Sequence, residues 1–265
     1  GRLVAFDQDQ EAITASTKKL EAIGNNFTII KSNFVNLKEK LEELGITEVD
    51  GILFDLGVSS PQLDEQERGF SYHQDAKLDM RMDRDNNFSA YDVVNTYDEK
   101  ELSRILFQFG EEKYANSIAR NIVKARNIKP IDTTFELVDI IKNSMPEKAK
   151  RDKHPARKTF QAIRIEVNHE LDILEKSMRD AASMLKVGGL LSVITFHSLE
   201  DRIVKNVFKD LTEVNPVVKG MPNIPLEYLP DYELVNHKAI TPSDTELEEN
   251  NRSRSSKLRV IKRIK

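Results

Sequence analysis

"DGILFDLGVSSPQLDEQERGF", residues 50–70, is a short apolar run that stops on a carboxylate. Ile52, Leu53 and Phe54 have the composition of a buried strand. Asp55 interrupts it, and Leu56, Gly57 and a Ser-Ser-Pro turn follow. The flanking pattern decides what kind of strand this is. Upstream, "RLVAF" (2–6) is a β-type run ending at Asp7. Residues 10–23 then place Ile13, Leu20 and Ile23 among the apolar positions of a helix that Gly24 stops. "FTII" (27–30) is the next strand, and Leu37, Leu41 and Leu44 mark a helix that Gly45 ends. Strands separated by helices of about ten residues predict βαβ units and a parallel sheet.

The middle of the chain breaks this rhythm. From Asp98 to about Arg164 helices follow one another without convincing strands. "DEKE" (98–101) reads as a capping box before Leu102, Ile105, Leu106 and Phe109, with Gly110 as the stop. "YANSIARNIVKARN" carries Tyr114, Ile118 and Ile122 on one face. "TTFELVDIIKNSMP" opens on a second box, Thr133 to Glu136, and ends at Pro146. A long helix is expected over about 160–185, then a turn at "KVGG" (186–189) into the strand "LLSVITF" (190–196). Ser198 with Asp201 caps a helix reaching Leu211. "YELVNHKAI" (232–240) and "SKLRVIKRI" (256–264) read as two closing strands joined by a polar, acidic loop. The expected division is 1–90, an inserted all-helical 91–164, and 165–265. No internal repeat or low-complexity tract is present.

Composition bounds the class. A chain of 265 residues that is 39% hydrophobic, with 10 Gly and 9 Pro, can build a proper core and is not disordered overall. With no cysteine, disulfides and thiolate metal sites are excluded and a reducing, cytoplasmic setting is expected. No apolar stretch approaches the roughly 20 residues of a membrane span, and no signal-peptide pattern opens the chain. The net charge of −4 does not advertise a nucleic-acid binder. Two clusters nevertheless stand out. "KAKRDKHPARK" (148–158) holds six Lys/Arg against one Asp, and "RSRSSKLRVIKRIK" (252–265) holds seven with no acid. Solvated surface accounts for either one; the pair makes a local polyanion site plausible.

In an open parallel sheet, ligands bind beyond the carboxyl ends of the strands. Three polar tips fall there: Asp7, Ser32-Asn33-Phe34 and Asp55. A strand-tip carboxylate can accept both hydroxyls of a ribose, and an aromatic such as Phe34 can cover adenine. Asp7 as a helix cap, Phe34 as core and Asp55 as the start of a turn are the bland readings. Together the three point to a nucleoside cofactor, either a nicotinamide dinucleotide or S-adenosylmethionine. The closing pattern of a helix, "KVGGLLSVITF", another helix and a final strand pair is typical of S-adenosylmethionine-dependent methyltransferases.

Four long stretches now carry a resemblance: "DGILFDLGVSSPQLDEQERGFSYHQDAKLDMRMD" (50–83), "HPARKTFQAIRIEVNHEL" (154–171), "FHSLEDRIVK" (196–205) and "NNRSRSSKLRVIKR" (250–263). In this order they resemble the RsmH (MraW) family, bacterial methyltransferases of the exocyclic amine of a cytosine in 16S ribosomal RNA. The resemblance implies a Rossmann-like S-adenosylmethionine-dependent sheet with an inserted helical domain that recognises substrate. It implies cofactor contacts at Asp7, Phe34, Asp55 and Gln62, the last added by the family pattern alone. It also implies an upstream strand and glycine-rich loop around the methionine moiety, which this sequence lacks, beginning at what reads as the second strand. The implied partner is 16S rRNA in the small ribosomal subunit, with no membrane contact and with a homodimer left open.

For the chemistry, Asp55 is the candidate acceptor for the amine protons, with the Leu56–Ser60 turn and the Ser59 and Ser60 hydroxyls as helpers. Asp55 bound to the cofactor instead is the competing assignment. His197 is placed for a general base or for bonding a neighbouring carbonyl. Arg81 and Asp83 either order a loop over the base or form a structural pair. Phe70 and Tyr72 are stacking candidates or core. Lys150, Arg151, Lys153, Arg157 and Lys158 are candidate phosphate contacts. The competing functions are a nicotinamide-dependent oxidoreductase and a non-catalytic RNA-binding module.

Overall fold

A computed structural model describes residues 1–150, 154–218 and 220–265; Arg151 and Lys153 of the first basic cluster lie outside the described residues. The elements run β1 (Leu3–Asp7), α1 (Gln10–Glu21), β2 (Phe27–Lys31), α2 (Leu37–Glu43), β3 (Val49–Asp55), α3 (Ser60–Asp64), α4 (Ala90–Thr96) and α5 (Glu99–Gln108). They continue with α6 (Ala115–Arg126), α7 (Thr134–Asn143), α8 (Arg157–Asn168), α9 (Leu174–Ser183), β4 (Leu185–Thr195), α10 (Ser198–Thr212), β5 (Tyr232–Leu234), α11 (Asp244–Glu249) and β6 (Lys257–Arg263). The protein is therefore a mixed α/β fold.

The strands do not form the single parallel sheet that the βαβ rhythm predicts. Among the described residues β1 and β2 form a two-stranded sheet, and a separate sheet has the order β3-β4-β6-β5. Parallel pairing joins β3 to β4, with Phe54 opposite Val193 and Asp55 opposite Ile194. The β4–β6 and β5–β6 pairs are antiparallel, because the chain doubles back on itself near its end. "KVGG" is not a turn before β4 but a bulge within it. Val49 faces Leu185 and Gly51 already faces Leu190, so the extra residues of β4 are looped out of register.

The chain divides into two compact units. The first comprises Gly1–Leu3, Asp7–Lys31 and Val58–Glu170; the second comprises Val4–Phe6, Ser32–Gly57 and Leu171–Lys265. The core of the first is largely helical. Leu102, Ile105 and Leu106 of α5, Ile118 and Ile122 of α6, Leu137 and Ile141 of α7, and Ile163 of α8 are all fully buried. Their spacing is the helical periodicity read in the sequence, one apolar stripe per helix turned to a shared interior. The second unit packs Leu37 and Leu41 of α2, Met178 and Ala181 of α9, and Val204 and Phe208 of α10 with Phe54, Leu191, Val193 and Ile261 of the sheet.

Two boundaries differ from expectation. The helix expected over 160–185 is two helices, α8 and α9, broken where His169 takes a left-handed backbone (φ 52°) and its N–H bonds back to the Ile165 carbonyl. That reverse bond satisfies an end carbonyl and stops α8 without a glycine. The cap of α10 sits one residue earlier than Ser198: His197 and Glu200 form the capping box. Asp201 turns instead to Arg259 and Lys257 on β6, at 2.8 and 3.0 Å. The caps at Asp98 and Thr133 are where the sequence puts them. Thr133 accepts the Glu136 N–H while the Glu136 carboxylate accepts from Asp132 and Thr133 N–H groups. Replacing Thr133 with Ala is expected to cost about 1 kcal/mol in urea unfolding; an unchanged midpoint would show that the box contributes nothing.

Candidate functional site

In the first unit, Asp7 closes β1 and its carboxylate accepts the Asp9 N–H at 2.8 Å. Asp9, and not Asp7, caps α1: its Oδ1 accepts the Glu11 N–H at 3.0 Å. The other Asp9 oxygen, Oδ2, takes two donors, Gln62 Nε2 at 2.8 Å and Arg68 Nη1 at 2.8 Å. Gln62 in turn closes a capping box at the start of α3, its Oε1 accepting from Ser59 N–H at 3.0 Å. Asp7, Gln62 and Ser59 are thus brought together through Asp9, while Ser60 opens α3 as an exposed residue. Burial pushes the Asp7 carboxyl above its ordinary value, against the lowering effect of the Asp9 and Gln8 N–H groups and of Arg68.

Arg68 is the residue that sequence reading missed. Its side chain is 1% exposed. Beyond Asp9, Nη1 reaches Glu11 at 3.0 Å and Nη2 donates to the Arg81 carbonyl at 2.9 Å and, more weakly, to that of Met82 at 3.3 Å. Gly69 follows with φ 68°, and a Cβ there would lie 2.4 Å from the Lys77 carbonyl, so the turn that presents Arg68 needs glycine. In the sequence, Arg68 sits in "DEQERGF", where nothing separates it from its exposed acidic neighbours. Asp9 left a detectable signal, an acid immediately before the helix.

The expected Arg81–Asp83 pair is not formed. Arg81 instead grips Asp79, two residues before it, with both Nε and Nη2 at 2.8 Å, and Asp83 accepts the Asp85 N–H. Burial raises the Asp79 carboxyl, but Arg81 overrides it and holds the group below its ordinary value. Phe70 is core, 5% exposed. Tyr72 stacks on His154 at 4.4 Å and meets Phe160 edge-on. Burial, together with the nearby His73 and Lys142, holds the His154 imidazole below its ordinary pKa. In the basic cluster, Lys150 pairs with Glu147 and Lys158 donates to the Glu111 carbonyl, whereas Arg157 is exposed.

In the second unit, Phe34 packs edge-to-face on Phe54, ring centroids 5.4 Å apart, immediately before Asp55 on β3. Asp55 is partly exposed at the strand tip, and its side chain makes no hydrogen bond or ion pair among the described residues. Desolvation alone raises its carboxyl above the ordinary value. Gly57 takes φ 90°, and a Cβ would stand 3.5 Å from the Phe196 ring. His197 caps α10, its Nδ1 facing the Glu200 N–H at 3.4 Å and its Nε2 lying 3.1 Å from Glu200 Oε1 without hydrogen-bond geometry. That is a structural position. In the basic tail, Lys257 and Arg259 engage Asp201, and Arg263 donates to the Leu185 carbonyl.

Among the described residues no helix is long and apolar enough to cross a membrane, and no group of three or more His, Cys, Asp or Glu is arranged to hold a metal. Carboxylates stand at the ends of β1 and β3 of this α/β protein. The chain belongs to the MraW methylase family, which it matches over residues 1–264. It is 55% identical over 266 residues to "Ribosomal RNA small subunit methyltransferase H" of Exiguobacterium sibiricum, covering 100% of this chain and 85% of that protein. A solved structure, "Crystal Structure of PH0851", aligns with a TM-score of 0.36 and 11% identity over 99% of this chain and 37% of that one, too weakly to bear on the fold.

The exposed, unpartnered Asp55 has a consequence for stability. Its pKa is higher folded than unfolded, so ionised Asp55 costs stability above that raised value. The cost disappears as pH falls below the ordinary carboxylate value of about 3.9. Asp55→Asn is therefore expected to raise the melting temperature at neutral pH, with the gain vanishing in acid. A lower melting temperature at neutral pH would contradict this reading.

Proposed function

We propose that the chain transfers a methyl group from S-adenosylmethionine to the exocyclic amine of a cytosine in 16S ribosomal RNA of the small subunit. The observation that carries this reading is the 55% identity to a small-subunit rRNA methyltransferase over 100% of the chain. It is supported by the four motifs that resemble the RsmH family. In this reading the fold is a Rossmann-like sheet with residues 91–164 as a helical insertion for substrate recognition. The family match favours methyl transfer over the nicotinamide alternative.

The donor set suits the cofactor. A carboxylate has about four acceptor positions. Those of Asp7 that Asp9 and Gln8 leave are suited to a ribose diol. Gln62 uses one amide hydrogen on Asp9, and its cofactor contact is the one that the family resemblance implies. In the second unit, the resemblance gives Phe34 and Asp55 cofactor contacts as well. The cofactor supplies an electrophilic methyl on a sulfonium.

The cytosine amine is a poor nucleophile because its lone pair is drawn into the ring. The protein must hold it in line and receive the charge that builds on nitrogen as the bond forms. Asp55 is the acceptor in this proposal. Desolvation raises its carboxyl, making it a stronger base than an ordinary aspartate, which suits a group that takes up an amine proton. The target cytosine has to leave its stack to be reached. The exposed Arg157 and Lys148 then contribute phosphate contacts that position rather than read sequence.

The test is incubation of the full-length protein with labelled S-adenosylmethionine and small ribosomal subunits that lack the modification. Label is expected on a cytosine amine, and none in Asp55→Ala. Absence of transfer by the parent would contradict the proposal, and near-normal turnover by Asp55→Ala would remove Asp55 from the mechanism.

A further inference from the structure

We infer that Arg68, acting through Asp9, is a positioning residue that fixes Asp7 and Gln62 for recognition of the cofactor ribose. The inference rests on the methyl-transfer reading, which makes Asp7 the ribose-binding carboxylate.

The geometry is that of a relay. A single oxygen, Asp9 Oδ2, receives both Arg68 Nη1 and Gln62 Nε2, each at 2.8 Å. The backbone N–H of the same Asp9 holds Asp7 Oδ1 at 2.8 Å. Turning Asp9 therefore moves both proposed ligand-binding groups at once. Asp9 and Arg68 are 3% and 1% exposed. Two charges are not buried in contact unless their geometry is closely held, since the desolvation cost is recovered only by near-complete pairing. Arg68 meets most of that condition from the opposite side, with Nη2 anchored on the Arg81 and Met82 carbonyls; its Nε alone is buried without a hydrogen-bond partner. A purely structural cation has no need to bind the residue that orients a strand-tip carboxylate. Here it does so, and its charge also favours the ionised form of Asp7 that accepts hydroxyl donors.

Lysine at position 68 keeps the charge but not the planar fork that spans Asp9 and the two carbonyls. Asparagine at position 9 keeps the shape and loses the ion pair. Glu11, the half-exposed outer contact of the same guanidinium, serves as the control. Calorimetric titration of the full chain with S-adenosylhomocysteine and with its 2′-deoxy analogue reads the ribose contact directly. The parent is expected to prefer the hydroxylated ligand by about tenfold or more, the scale of a hydrogen bond to a charged group. Arg68→Lys and Asp9→Asn are expected to lose that preference, and Glu11→Gln to keep it.

A structural role alone would weaken both ligands in proportion and leave their ratio intact, and that result overturns the inference. Should the single variants fail to fold, the neutral double variant Asp9→Asn/Arg68→Gln leaves no lone buried charge, and the same loss of preference is expected of it. A parent that does not bind S-adenosylhomocysteine contradicts the methyl-transfer reading. A parent that binds both ligands equally contradicts the role of Asp7. A parent that discriminates, with variants that still do, overturns the role of Arg68 alone.

Discussion

The buried pair of Asp9 and Arg68 is the contact on which the first unit's polar architecture depends. It joins the start of α1 to the loop at 80–82, which is secured a second time. Asn168 of α8 donates to the Met80 carbonyl and accepts from the Met82 N–H, each at 2.8 Å. Met80 itself is fully buried with φ 60°, a strained backbone for a side chain of that size, and its N–H bonds to the Arg68 carbonyl. Removing one partner of such a pair leaves an uncompensated charge, at a cost of roughly 3–5 kcal/mol.

The acids of this chain receive two treatments. Asp9, Asp79 and Asp201 are each held by an arginine, and the last two are kept below the ordinary carboxylate range. Asp7 and Asp55 stand at strand ends with no ion pair among the described residues and are raised by burial. A protein optimised for stability alone would pair or neutralise these two. Their raised carboxyls at strand ends are what the methyl-transfer proposal draws on.

Much of this was legible in the sequence for local reasons. Helices α5, α6 and α7 follow apolar spacing and capping residues that lie within a few positions of each other, so the chain reports them directly. Asp7 and Asp55 were visible because each ends an apolar run. What was hidden depends on contacts distant in sequence. The pairing of β3 with β4 rather than with β1 or β2 is set by residues more than a hundred positions apart. Arg68 gains its role from Asp9, in another element, and no local pattern distinguishes it from Glu67. The tail showed seven cations, but not that Asp201 already engages two of them. His197, at the end of β4, looked like a base because its position is polar; its capping of α10 is a matter of one residue of register.

A crystal structure of the chain bound to S-adenosylhomocysteine tests the account most directly. The account predicts the ribose hydroxyls on the Asp7 carboxylate, with the Asp9–Arg68 contact retained near 2.8 Å. A ribose held elsewhere, or Arg68 turned away from Asp9 onto the ligand, would contradict it.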